Sequence, residues 1–168
     1  MKQDAAAEFS LIARDHGAMI ARIARSYEAN AARAEELVQE IFLAVWQALP
    51  NFRGEANIRS FIARIAHNRA ISHVAREVRA PRAVPLDEAM PSLAPTPEDD
   101  AAASNARAKL EAAVQHLPLN QKMVVSLALE GFSPEEVADV LGITASAASV
   151  RLHRAKTALE QMLNGRKS

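Results

Sequence analysis

Five of the eight prolines in this 168-residue chain fall within 17 residues, from Pro81 to Pro97. Each proline fixes its own φ and removes a backbone hydrogen-bond donor, so no helix of useful length fits there. The segment is also acidic, because residues 81–105 carry one basic and five acidic side chains, a net charge of −4. We therefore expect a flexible linker over residues 81–104 between two domains, residues 1–80 and 105–168.

A second interpretation of the linker is that its few apolar side chains anchor it in a groove of a partner. These side chains are Val84, Leu86, Met90 and Leu93.

The composition outside the linker favours an all-α fold. The chain has 36 alanines but only five glycines and seven aromatic residues, and alanine has the highest helix propensity. The absence of cysteine excludes a disulfide framework and a thiolate metal site. Neither a signal peptide nor an apolar run of about 20 residues is present, so we expect a soluble, cytoplasmic protein without membrane insertion of its own. The whole chain has a net charge of zero, but residues 1–80 and residues 106–168, on either side of the acidic segment, each carry a net charge of +2.

Apolar spacing divides the N-terminal part into helices. One or two helices are predicted over residues 5–28, another over 32–49 and a long one over 58–79, with a loop at 51–57. In the long helix the large apolar residues change side half-way. This predicts either a kink near Asn68 or a second half that packs on a different layer.

The C-terminal part has the form of a helix-turn-helix. Helices are predicted over 106–116 and 119–130, and Ser133-Pro134-Glu135-Glu136 is a capping box that starts a third helix. Gly142 ends that helix, and Thr144 caps a basic amphipathic helix that runs to about Asn164. This pattern predicts a DNA-binding hairpin. The alternative is a plain helical hairpin with solvated charges.

Two further helix faces are candidates for binding. Leu43 and Trp46 lie outside the apolar stripe of the 32–49 helix, among polar residues, as on a partner-binding face. Alternatively, Trp46 covers a neighbouring helix and Leu43 is a scattered surface leucine. The 58–79 helix carries five arginines against one glutamate, which indicates phosphate contact, assisted by the 51–57 loop. The alternative for this helix is a solvated charged face.

No pattern supports catalysis. The five histidines form no HExxH pair, and the chain has neither a glycine-rich phosphate loop nor a GxSxG turn. The adjacent glutamate pairs suit caps and surfaces better than acid–base chemistry. We expect no enzyme activity, no catalytic residues, no cofactor and no metal.

Two segments resemble a known family. AEELVQEIFLAVW at 34–46, followed by Phe52-Arg53-Gly54 and FIARIAHN at 61–68, resembles region two of bacterial extracytoplasmic-function (ECF) sigma factors, which belong to the sigma-70 family as its group IV. Residues 117–159, which include VRLHRAK at 150–156, resemble region four of the same family. Both segments occur in the family's order, and a linker separates them.

The resemblance implies a dissociable specificity subunit of RNA polymerase. Region two would bind the β′ clamp helices and the melted −10 promoter element, and region four would bind the β flap and the −35 element. An anti-sigma factor is the expected regulator of this chain.

Three sets of residues carry these expected roles. We call the set expected to contact core polymerase the clamp patch: Glu36, Gln39, Glu40, Leu43 and Trp46. The −10 surface comprises Asn51, Phe52, Arg53, Asn57, Arg59, Arg64, His67, Asn68 and Arg76. The −35 surface comprises Thr144, Ser146, Ser149, Val150, Arg151, His153, Arg154 and Lys156.

The basic amphipathic helix after Thr144 is the expected recognition helix, and its start departs from the family pattern. Residues 145–150 read ASAASV and offer no long side chain for bidentate base contacts. The −35 element would then be read through methyl contacts, hydroxyl bonds and DNA shape. Two alternative functions remain at this point. One is a stand-alone helix-turn-helix regulator, and the other is a protein-interaction adaptor that no longer binds DNA.

Overall fold

The computed structural model describes residues 2–79 and 98–165, and within these residues it contains seven α-helices and no strand. The elements are α1 (Lys2–Tyr27), α2 (Ala31–Ala48), a 3₁₀ turn (Leu49–Asn51), α3 (Ile58–Arg79), α4 (Glu98–Gln115), α5 (Leu119–Ala128), α6 (Pro134–Leu141) and α7 (Ala145–Asn164). The all-α prediction is confirmed. Most of the predicted linker, up to Pro97, lies outside the described residues.

Helices α1, α2 and α3 pack against one another around large aliphatic side chains. Ile20, Leu37, Ile41 and Ile62 are fully buried at the centre of this bundle. Asn30 starts α2, because its side chain accepts a hydrogen bond of 3.0 Å from the backbone N–H of Arg33.

The predicted change of side in α3 is confirmed for Ile71 and Val74 and wrong for Val78. Ile71 and Val74 pack against the core, as do Ile58, Phe61 and Ile65 on the other side of the helix, whereas Val78 is 81% exposed. Small residues and histidines fill the fully buried face between the two sides: Ile62, Ala63, Ala66, His67, Ala70 and His73. One continuous helix, Ile58–Arg79, carries both apolar sides.

Helix α4 begins earlier than predicted. Its first residue is Glu98, although the linker was expected to continue to residue 104. Alanine occupies positions 101–103, 106 and 108, directly after the last linker proline. The high helix propensity of alanine explains why helix forms there in an otherwise linker-like composition.

Helices α5, α6 and α7 confirm the predicted helix-turn-helix. Ser133 Oγ accepts a hydrogen bond from Glu136 N, and the Glu136 carboxylate accepts one from Ser133 N at 2.7 Å, which completes the capping box. Gly142 has a φ of +69°, a backbone conformation that glycine adopts without strain. Ala138 and Ala148, both buried, allow α6 and α7 to pack closely.

The two helical parts also pack on each other. Helix α1 contacts α4 and α5, and α3 contacts α6. Buried residues of both parts form one continuous cluster, which includes Ile23 and Tyr27 on one side and Val114 and Leu127 on the other. The sequence predicted the two parts and not their contact.

His67 and Tyr27 form a buried polar pair inside the N-terminal bundle. The Tyr27 hydroxyl lies 3.1 Å from His67 Nδ1, and His67 is only 6% exposed. Burial lowers the pKa of His67 from 6.5 to about 4, because the imidazolium would lose its hydration.

This burial predicts an acid-sensitive fold. Below pH 6.5 the unfolded chain binds a proton at His67 that the folded chain takes up only near pH 4. The free energy of unfolding should therefore fall by about 3 kcal/mol from pH 6.5 to pH 4 through this group. Urea titrations across this range should show a shallower pH dependence for His67→Gln than for the wild type. His116→Gln removes an exposed histidine as the control, and equal slopes in all three proteins would contradict the prediction.

Candidate nucleic-acid and partner interfaces

The clamp patch lies on the solvent side of α2. Leu43 is 57% exposed and Trp46 is 39% exposed, while Glu36 and Gln39 are also exposed. An exposed leucine and tryptophan ringed by polar groups form the apolar centre and polar rim typical of a protein interface. The alternative interpretation is right in part for Trp46, because its ring packs edge-on against Phe9 of α1 at 5.2 Å between centroids.

An ion pair joins the clamp patch to the −10 surface. Arg76 Nη2 lies 2.8 Å from Glu40 Oε2, so α2 and α3 are linked where the two predicted surfaces meet. Both side chains remain substantially exposed, and such a surface pair contributes little to stability.

The loop between α2 and α3 presents part of the −10 surface. Asn51 and Arg53 are exposed, and the half-buried ring of Phe52 packs against Phe61 with 4.8 Å between centroids. Asn57 caps α3, because its Oδ1 accepts a hydrogen bond of 2.9 Å from the backbone N–H of Arg59. The capping bond fixes the start of α3, and the Phe52–Phe61 contact holds the loop beside the helix.

Helix α3 supplies the remaining −10 side chains, with one correction. Arg64, Asn68 and Arg76 are exposed. His67 is buried against Tyr27, so its expected contact with DNA is wrong. His67 is buried by residues of α1 and α3 that lie far apart in the sequence. The spacing of residues along α3 alone therefore does not predict that His67 is buried.

Two arginines of the −10 surface bind the C-terminal part. Arg59 Nη2 donates a hydrogen bond to the Glu130 carbonyl, and its guanidinium lies 4.2 Å from the centre of the Phe132 ring. Arg64 Nη2 donates to the Asp139 carbonyl at 2.7 Å. The predicted −10 surface is therefore partly engaged by α6 and the turn before it.

The −35 surface is accessible in the described structure. Thr144, Ser146, Ser149, Val150, His153, Arg154 and Lys156 are exposed, and Arg151 is half-buried. The opposite face of α7 is buried through Ala148, Leu152, Ala155 and Leu159. Thr144 Oγ1 caps the helix by accepting a hydrogen bond of 3.0 Å from Ala147 N.

A cluster of metal-ligand type occurs between α1 and α3. Atoms of Glu28, His73 and Glu77 lie within 4.8 Å of one another. His73 Nε2 is 2.7 Å from Glu28 Oε2, and Arg33 Nη1 is 2.9 Å from Glu77 Oε2. The His73–Glu28 hydrogen bond and the Arg33–Glu77 ion pair explain why the three side chains lie together, and they link the ends of α1 and α3 to the start of α2.

Comparison with known proteins identifies the family of this chain. The family model for Sigma-70 region 2 matches residues 12–80, and the family model for Sigma-70, region 4 matches residues 107–159. The sigma factor CnrH of Cupriavidus metallidurans is 31% identical over an alignment of 163 positions, which covers 92% of this chain and 85% of CnrH. The ECF sigma factor SigE of Mycolicibacterium smegmatis is 30% identical, and the match covers 90% of this chain and 60% of SigE.

Solved structures agree with this placement. CnrH in complex with the cytosolic domain of CnrY has a TM-score of 0.67 and 26% identity, over 94% of this chain and 88% of that one. RpoE of Bartonella quintana, in complex with the anti-sigma factor NepR, shares the fold with a TM-score of 0.66 and 19% identity, over 90% of this chain and 95% of that one. The chain belongs to the sigma-70 family, as a sigma factor of the ECF type.

Proposed function

We propose that this chain is an alternative sigma factor, which binds core RNA polymerase and directs it to specific promoters. The observation that carries the proposal is that regions 2 and 4 occur in one chain, in order, with an exposed helix-turn-helix face in region 4. Catalysis belongs to the polymerase in this proposal, and the sigma factor contributes binding and orientation.

We assign the functional roles to two units, residues 1–80 and residues 105–168. The clamp patch binds the β′ clamp helices, and the −10 surface without His67 binds the melted strand. The −35 surface binds duplex DNA in the major groove, and the C-terminal unit also binds the β flap. Exposure of the clamp patch and the −35 surface supports this assignment.

Regulation by an anti-sigma factor is part of the proposal. RpoE was solved with the anti-sigma factor NepR, and CnrH was solved with the cytosolic domain of CnrY. The similar fold and the exposed apolar side chains of this chain suit an inhibitory partner of the same kind. We place the chain in the cytoplasm, where the polymerase acts.

Within residues 2–79 and 98–165, none of the helices combines the length and the apolar character that crossing a membrane requires.

Run-off transcription with purified core polymerase on genomic promoter fragments tests the function. We expect defined transcripts only when both core polymerase and this chain are present. A stand-alone regulator would instead bind its operator without polymerase and would leave core enzyme inactive. An adaptor that has lost DNA binding would give neither transcripts nor operator binding, and either result would contradict the proposal.

A further inference from the structure

We propose that Glu28, His73 and Glu77 form a Zn²⁺-binding site inside the N-terminal bundle. The site joins the end of α1 to the second half of α3. It lies outside the clamp patch, the −10 surface and the −35 surface, and it does not depend on the proposed sigma function. Local motifs did not predict it, because 45 positions separate Glu28 from His73.

The three side chains offer the kinds of atom that bind Zn²⁺. One imidazole nitrogen and two carboxylate oxygens lie within 4.8 Å of one another. His73 and Glu77 are four positions apart on α3, so they share one face of the helix. Glu28 approaches from the end of α1, with its Oε2 2.7 Å from His73 Nε2. Three such protein ligands and one water complete a tetrahedral zinc site.

Neighbouring donors already orient both carboxylates. The backbone N–H of Asn30 donates to Glu28 Oε1 at 2.9 Å, and Arg33 Nη1 donates to Glu77 Oε2 at 2.9 Å. Within the described residues, Glu77 Oε1 accepts no hydrogen bond, so it is available to an ion. Donors behind the ligands are typical of metal sites, and their loss commonly lowers metal affinity by about 10–100-fold.

Burial distinguishes this cluster from acidic groups on an open surface. The side chains of His73 and Glu28 are 10% and 11% exposed, whereas that of Glu77 is 41% exposed. An ion therefore enters from the side of Glu77. It takes the place of the hydrogen between His73 Nε2 and Glu28 Oε2, and the neutral ring then carries its hydrogen on Nδ1. The mixed nitrogen and oxygen ligands favour Zn²⁺ over Mg²⁺, which prefers six oxygen ligands.

A nearby positive charge opposes binding and gives a second test of the site. The Lys122 ammonium interacts electrostatically with Glu28. A bound Zn²⁺ is repelled by this ammonium, so Lys122→Gln should raise the zinc affinity by about threefold. A zinc ion bound elsewhere on the chain would not respond in this way.

Calorimetric titration of the untagged chain with ZnCl₂ tests the proposal. The wild type should bind one Zn²⁺, and its melting temperature should rise with the zinc concentration. Glu77→Gln should weaken this binding by about 100-fold, because it removes a ligand. Titration with MgCl₂ should give no binding at the same concentrations.

The matched control is Glu111→Gln. Glu111 also pairs with an arginine, and its side chain is 42% exposed, close to the value for Glu77. This variant should bind Zn²⁺ as the wild type does, and so should His116→Gln, which lacks an exposed histidine outside the cluster. Circular dichroism of the zinc-free proteins should show equal helical content, which separates loss of a ligand from misfolding. Equal zinc affinities for the wild type and Glu77→Gln would overturn the proposal, as would a loss of binding in His116→Gln.

Discussion

Leu43→Arg is expected to weaken binding of core RNA polymerase by about 30-fold or more, which corresponds to about 2 kcal/mol for a central contact. Leu43 is 57% exposed, so the substitution removes little packing from the bundle. The arginine would instead place a charge in the apolar centre of the interface. Helical content and melting temperature should change little, as for most surface substitutions.

The matched control for this prediction is Leu11→Arg. Leu11 is an exposed leucine on α1, 50% exposed and outside the clamp patch. Fluorescence titration of labelled chain with core polymerase should show normal affinity for Leu11→Arg. Equal affinities for the wild type and Leu43→Arg would refute the assignment of the clamp patch, as would an equal loss in both variants.

Arg151→Ala and Arg154→Ala are each expected to weaken −35 duplex binding by about tenfold, with no change in the preferred sequence. Both side chains lie beyond the first turn of α7, where we expect them to hold the DNA backbone, and we expect the exposed Ser149 and Val150 to face the bases. Loss of one phosphate contact should lower the slope of log affinity against log salt by about 0.9. Enlarging Ser149 or Val150 should instead alter the sequence preference.

Titrations on matched and scrambled −35 duplexes at several salt concentrations distinguish these roles. Lys109→Ala, which removes an exposed charge from α4, is the control and should leave the salt slope unchanged. A relaxed preference at one base pair with an intact slope would show that Arg151 reads a base directly. The assignment of Arg151 to the DNA backbone would then be wrong.

Local chemistry predicted most of the helices and the helix-turn-helix. The capping box at Ser133, the φ of Gly142 and the exposure of Leu43 depend on residues within a few positions of one another. Such features follow from propensity and periodicity. Helix α4 is the exception, because its alanines extend the helix to Glu98, where the neighbouring prolines and acidic residues predict a linker.

The contacts between distant parts of the chain were not predictable in this way. Arg22 and Glu130 are separated by 108 positions, and Tyr27 and His67 by 40. A glutamate shortly after a helix, such as Glu130, and a histidine on a helix face, such as His67, occur on many protein surfaces. Neither residue type therefore indicates that its side chain is buried. The packing of the two parts, which buries the Glu130 side chain, and the packing of α1 on α3, which buries His67, depend on shape complementarity that periodicity does not describe.

The buried cluster shared by the two parts has a thermal consequence. Separating the parts exposes apolar surface, and hydration of that surface raises the heat capacity of the separated state. The apolar contribution to the packing of the two parts therefore weakens on cooling. The desolvation penalty of the Arg22–Glu130 ion pair between the parts becomes smaller on warming. Both effects favour the packed arrangement at higher temperature, so the two parts should separate more readily on cooling.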